Sequence, residues 1–171
     1  MDNFARCLAF TLAQEAGFSD TPADPGNWTG GVVGHGVLRG TKFGISAAAY
    51  PAVDIAQLTE AQAADIYQRD YFTPLQGEAL KPALAMVAFD AAVNAGLRRS
   101  VVWLQLAAGL KGDGVMGAQT LAALAAADAS AVAREALARR LTFYTQTPDW
   151  SQFGLGWTRR VMALAMAAAA P

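Results

Sequence analysis

Half of the sixteen glycines lie in one stretch, Gly17 to Ile45, and that stretch divides the chain into two kinds of material. Glycine visits left-handed backbone freely and loses the most freedom in regular structure, so this density excludes a long helix there. Asp24-Pro25-Gly26-Asn27 is a strong turn signal. Gly31 to Leu38 and Thr41 to Ile45 read as short, glycine-broken strands. Trp28, Phe43 and Ile45 argue against disorder, and loops this long in compact domains are usually functional.

Either side of this stretch the pattern is helical. Alanine, the best helix former, supplies 39 of the 171 residues. Met1 to Ala16 reads as an amphipathic helix capped by Asp2 or Asn3, with Phe4, Leu8, Thr11, Leu12 and Glu15 on one face and Gly17 as its stop. Thr59-Glu60-Ala61-Gln62 is a capping box that opens a helix to about Tyr71. Further helices are expected over Pro82 to Asn94, Ser100 to Leu110, Ala118 to Ala126, Ser130 to Thr145 and Phe153 to Ala169, each set off by Gly, Pro or Asp. No repeat is present. The expected fold is mainly α with a small glycine-rich β lobe.

Composition removes several function classes. Thirteen basic and fourteen acidic residues leave a formal charge of −1, which fits neither a basic nucleic-acid binder nor an acidic tail. One cysteine excludes an intrachain disulfide framework, and one histidine, His35, excludes a two-histidine zinc motif. No metal or organic cofactor is implied. The longest apolar run, Val161 to Ala170, is half of the roughly 20 residues that span a bilayer. Asp2 stands where an export signal carries basic charge, and Gln14-Glu15 cuts short the apolar run after Arg6, so no cleaved signal is expected.

Four glutamates are available. Glu60 lies in a helix first turn, where the dipole favours it, Glu135 has Arg139 four residues on, and Glu78 sits in a turn. Glu15 differs. It falls on the apolar face of its helix and in the last turn, where desolvation and the dipole's negative end both raise a carboxyl pKa. A general acid near neutral pH needs such a rise. The plainer alternative is a frayed terminal glutamate reaching solvent. Asp24 follows nine residues later. A helix-end acid facing a carboxylate from a small lobe suits a glycosidase, although an Asp before Pro-Gly is ordinarily an Asx-turn residue. Thr29 and Thr41 are the nearby hydroxyls. His35, in Gly-His-Gly, reads as a loop histidine, and Cys7 as a small core residue.

Glu15-Ala-Gly-Phe-Ser, Asp24-Pro-Gly-Asn-Trp-Thr-Gly-Gly and Gly40-Thr-Lys-Phe-Gly-Ile-Ser together resemble glycoside hydrolase family 108. These are phage- and prophage-type endolysins with a lysozyme-like fold. Asn94-Ala-Gly, Trp103-Leu-Gln, Gly112-Asp-Gly-Val-Met-Gly-Ala-Gln-Thr-Leu and Gly156-Trp-Thr-Arg-Arg-Val resemble the peptidoglycan-binding region that follows in that family. The resemblance spans roughly residues 4 to 165. It implies one lysozyme-like domain over 1–171, with a catalytic half at 1–92, its β lobe at about 17–45, and a peptidoglycan-binding helical half at 93–166.

The resemblance also implies roles. Glu15 is the expected catalytic acid and Asp24 the second carboxylate, with either Thr29 or Thr41 assisting. Relatives that place threonine directly before Lys-Phe-Gly-Ile point to Thr41. Trp28, Tyr50 and Trp103 are candidates for sugar stacking, with core packing the alternative for each, and Asn94 for substrate binding. The expected activity is endolysin-type muramidase cleavage of the β-1,4 bond between N-acetylmuramic acid and N-acetylglucosamine. Lytic transglycosylase and non-catalytic wall-binding module are the rival readings. The expected partner is peptidoglycan, reached from the cytoplasm through a holin or by phage or gene-transfer-agent delivery, with no nucleic acid, no membrane span and a monomeric state.

Overall fold

The computed structural model describes residues 2–14 and 17–170. They form seven α-helices and one two-stranded sheet: α1 (Asn3–Gln14), β1 (Thr41–Lys42), β2 (Ile45–Ser46), α2 (Glu60–Tyr67), α3 (Pro82–Ala95), α4 (Leu97–Ala107), α5 (Ala118–Ala126), α6 (Ala129–Thr145) and α7 (Trp150–Ala169). This is the mainly α, lysozyme-like architecture with a small β lobe. Two compact units divide the chain, one of Met1–Phe10 with Gln68–Pro171 and one of Thr11–Tyr67.

Local signals account for several helix ends. The Asp2 carboxylate accepts the Ala5 N–H at 2.7 Å and caps α1. The capping box before α2 is reciprocal: Thr59 N–H donates to Gln62 Oε1 at 2.9 Å, and Gln62 N–H to Thr59 Oγ1 at 3.3 Å. After Tyr67 the helix widens into a π turn over Gln68–Phe72. Pro82 opens α3. Gly96, at φ 91, closes α3 and starts α4 at once, so α4 begins at Leu97 and ends at Ala107, three residues before the sequence pattern suggested at both ends.

In the first unit α3 is the central helix. Every residue from Leu84 to Ala92 is buried, and α4, α6 and α7 all pack on it. A helix enclosed on all sides has no polar face, which is why its sequence shows little amphipathic contrast. Its one acid, Asp90, is 1% exposed. Arg140 Nη1 of α6 donates to Asp90 Oδ2 at 2.6 Å, and Arg160 Nε and Nη2 of α7 donate to Oδ1 at 3.0 and 2.8 Å. Arg140 Nε also donates to Tyr144 Oη at 2.8 Å. On α1, Cys7 is buried, and Phe4 packs edge-on against Phe89 and tilted against Phe72.

A second polar knot orders the loop between α4 and α5. The buried Gln105 amide donates to Asp113 Oδ1 at 2.7 Å and to Thr120 Oγ1 at 2.9 Å, and its Oε1 accepts the Gly114 N–H at 2.9 Å. These bonds, with the Val115 N–H, hold the Asp113 carboxyl below its ordinary value.

The second unit corrects the strand reading. Gly31, Gly34 and Gly36 all sit at positive φ, between 68° and 80°, so Gly31 to Leu38 is a turning loop, with one bridge from Leu38 to Trp28. Extended strand cannot include left-handed residues at this density. The expected strand Thr41 to Ile45 is instead a hairpin. Phe43 (φ 51) and Gly44 (φ 74) form its two-residue turn, with Thr41 opposite Ser46 and Lys42 opposite Ile45. Two left-handed central residues match the twist of a tight hairpin. Tyr67 Oη donates to the Phe43 carbonyl at 2.8 Å and holds this turn to α2.

Candidate active site

Glu15, the expected acid, lies outside the described residues. Four residues earlier in the sequence, Thr11 is fully buried, and its hydroxyl has no hydrogen-bond partner among the described residues.

The small lobe is assembled on Asn27, a residue that no sequence argument singled out. It is fully buried. Its amide Nδ2 donates to the Thr21 carbonyl at 3.1 Å, and its Oδ1 accepts the Thr41 hydroxyl at 2.7 Å. Its backbone carbonyl accepts both the Arg39 and Gly40 N–H groups, at 2.9 and 3.0 Å. The available signal was its place in Asp-Pro-Gly-Asn, where a fourth polar residue is ordinarily just part of the turn.

Asp24 opens the 3-10 turn Pro25–Asn27. Its Oδ1 accepts the Gly26 N–H at 2.8 Å, and its carbonyl accepts the Asn27 N–H at 3.2 Å. The Asx-turn geometry is thus present and uses one carboxylate oxygen. Among the described residues Oδ2 makes no hydrogen bond, and the residue is exposed. Asp24 and Thr41 therefore both bond to Asn27, one through backbone and one through side chain. The Thr41 backbone is fixed as well, exchanging both hydrogen bonds with Ser19, at 2.7 and 2.9 Å.

Thr29 is used differently. Its Oγ1 accepts the Val37 N–H at 2.9 Å and closes the glycine loop, and a Cβ at Gly36 would approach that oxygen to 2.3 Å. Trp28 is half-buried and donates Nε1–H to the Pro22 carbonyl at 2.9 Å. Tyr50 is half-buried just after β2. His35 is exposed in the loop.

Asn94 and Trp103 belong to the other unit. Asn94 is exposed and bonds back to the Asp90 carbonyl at 2.8 Å. Trp103 is 7% exposed, with its ring against Phe143 at 5.7 Å. It lies along an open groove of about 460 Å³ between α4 and α6, bordered by Phe143, Thr142, Gln146 and the Glu135–Arg139 pair. Burial pushes the Cys7 thiol up to about 12, which removes it as a nucleophile at neutral pH. No group of three or more His, Cys, Asp or Glu able to hold a metal occurs among the described residues.

The glycosyl hydrolase 108 family model matches residues 8–96, just over half of the chain. The chain belongs to the glycosyl hydrolase 108 family. A solved structure, SagA of Brucella abortus, is 31% identical to it, with a TM-score of 0.81, covering 96% of this chain and 92% of that one. No curated protein matches. Membership makes the chain a glycoside hydrolase of the lysozyme-like, peptidoglycan-degrading kind. The glycosyl hydrolase 108 match takes in Glu15, Asp24, Trp28, Thr29, Thr41, Tyr50 and Asn94, while Trp103 lies beyond it. No helix among the described residues is long and apolar enough to cross a membrane.

Proposed function

We propose that this chain is a muramidase, hydrolysing the β-1,4 bond between N-acetylmuramic acid and N-acetylglucosamine. The observation that carries the reading is Asp24: an exposed carboxylate within the family match, one oxygen bonded to the Gly26 N–H and the other without a hydrogen bond among the described residues. Glu15 donates a proton to the glycosidic oxygen as the bond breaks. Asp24 takes a proton from the attacking water, whose oxygen bonds to the anomeric carbon.

The hydrogen bonds favour Thr41 over Thr29 as the assisting hydroxyl. An attacking water needs acceptors for its protons. The Thr41 proton is committed to Asn27, so Thr41 accepts from a water, as Asp24 does. Thr29 already accepts from Val37 N–H and offers a water chiefly its proton.

Trp28 and Tyr50 are the stacking residues of this reading. Residues 93–166 would hold the glycan strand along the α4–α6 groove, where Trp103 and Phe143 supply apolar surface and Thr142, Gln146 and Arg139 supply polar rims. Asn94 would serve the same half. Access to the wall through a holin or by particle delivery completes the reading.

Mass spectrometry of products from purified peptidoglycan tests it. Fragments with reducing N-acetylmuramic acid ends are expected. 1,6-Anhydro ends would replace hydrolysis by transglycosylation, and binding to sacculi without soluble fragments would replace it by a wall-binding module.

A further inference from the structure

The small lobe holds a cavity that the proposed chemistry does not use. It has a volume of about 380 Å³ and is lined by Phe18, Asp20, Leu38, Arg39, Asp54 and the small side chains Ala52 and Ala56. All belong to the unit Thr11–Tyr67.

Its charges are of both signs, and they do not neutralise one another. Among the described residues no ion pair joins Arg39 to Asp20 or Asp54. Arg39 Nη1 donates to the Pro51 carbonyl at 3.1 Å, which anchors one end of the guanidinium and leaves four of its five N–H groups. The Asp54 carboxylate accepts only a long bond from the Gln57 N–H, at 3.4 Å, and Asp20 accepts none from the described residues. Lys42 Nζ donates to the carbonyl of Ala56, a lining residue, at 2.9 Å. All three charged side chains are exposed, so a ligand entering the cavity can reach them.

The wall of the cavity is also built. Gly40 sits at φ 83, and a Cβ there would meet the Phe18 ring at 2.7 Å and the Ser19 carbonyl at 2.6 Å. Only glycine lets the ring lie this close to the backbone. Phe18 nevertheless stays 46% exposed, an aromatic surface held in place without being buried.

We infer that this cavity binds a group carrying an ammonium and a carboxylate on the same carbon, the ammonium between Asp20 and Asp54 and the carboxylate on Arg39. A cation beside Phe18 gains from the ring face as well. Resting on the peptidoglycan reading, the ligand is the free end of a diamino acid in an uncross-linked wall peptide. The site then reads the peptide stem while the carboxylates act on the glycan.

Calorimetric titration of the full chain tests this. The probes are a wall-stem tripeptide ending in diaminopimelate and its counterpart ending in lysine, which has the ammonium but no neighbouring carboxylate. The first should bind at least about tenfold more tightly, the scale of one hydrogen-bonded charge. The double variant Asp20→Asn, Asp54→Asn and the single Arg39→Gln should each weaken it by at least about tenfold. Ala52→Trp, which adds bulk to the cavity and leaves its charged residues unsubstituted, should abolish it. Equal binding of the two peptides, variants that bind as wild type, or no heat from wild type with the first peptide would overturn the inference. Titration needs no turnover. A chain that binds the peptide yet releases no glycan fragments overturns the hydrolase reading alone, and a chain that releases fragments yet ignores the peptide overturns this one alone.

Discussion

Asn27 can satisfy its buried amide only because Thr41 and Thr21 stand where they do. Thr41→Val keeps the shape of the side chain and leaves Asn27 Oδ1 without its donor. A buried acceptor left unpaired costs about 1–3 kcal/mol. Thr41→Val should therefore lower the melting temperature, and Thr41→Ser should restore most of it; a valine variant that melts as wild type would show that Asn27 is held by other means. Two carboxyl substitutions separate chemistry from folding. Glu15→Gln is nearly isosteric but cannot protonate the leaving oxygen, so clearing of purified walls should slow by about a hundredfold or more with the melt unchanged. Asp24→Asn keeps an oxygen for the Gly26 N–H, so the turn survives. Its activity should still fall, because an amide takes no proton from water. Turbidity assays beside thermal melts read both. Near wild-type clearing by either variant removes that residue from the mechanism.

At the scale of elements, α3 is decided by one residue in its middle. Asp90 sits among alanines and large apolar side chains, and it pairs with two guanidinium groups, from α6 and α7. Such a pair fixes which helix faces meet. Arg140→Met keeps a long apolar stem but removes a donor from both Asp90 and Tyr144. Urea unfolding should show a loss of about 3 kcal/mol. Arg140→Lys should recover only part, since one ammonium cannot reproduce the fork that holds both partners. No change in the unfolding midpoint for Arg140→Met would contradict this role. A lone acid in an otherwise apolar helix was visible in the sequence. Its partners were not, because Arg140 and Arg160 each end an Arg-Arg pair in which either member could have turned inward.

For the whole molecule, the division into two units falls inside helical segments. One boundary lies between Phe10 and Thr11, within α1, and the other between Tyr67 and Gln68, where α2 becomes the π turn. Independent domains are normally joined by exposed linkers rich in Pro, Gly or polar residues. A helix broken in the middle loses hydrogen bonds on both sides of the break. The full chain should therefore give a single calorimetric transition whose van't Hoff and calorimetric enthalpies agree. Two resolved transitions would mean that α1 and α2 yield before either unit does.

What the sequence determined by itself is local. The Thr59–Gln62 box, Pro82, Gly96 and the Asp-Pro-Gly turn each act through atoms within about four residues, so their outcome is set before any distant partner arrives. The glycine-dense stretch likewise marked the β lobe, although three left-handed glycines turned its first expected strand into a loop. The face of α1 was legible only roughly: Cys7 and Thr11 are its buried line, while Phe4, Leu8 and Leu12 are half-buried. Tertiary structure decided the rest. It chose Asn27 as the hub across fourteen residues to Thr41, and it joined Asp90 to arginines fifty and seventy residues away. It brought Arg39, Asp20 and Asp54 around one cavity. Periodicity reports which residues share a face, but a buried polar group is stable only beside its partner, and that partner is supplied by the packing of elements far apart in the chain.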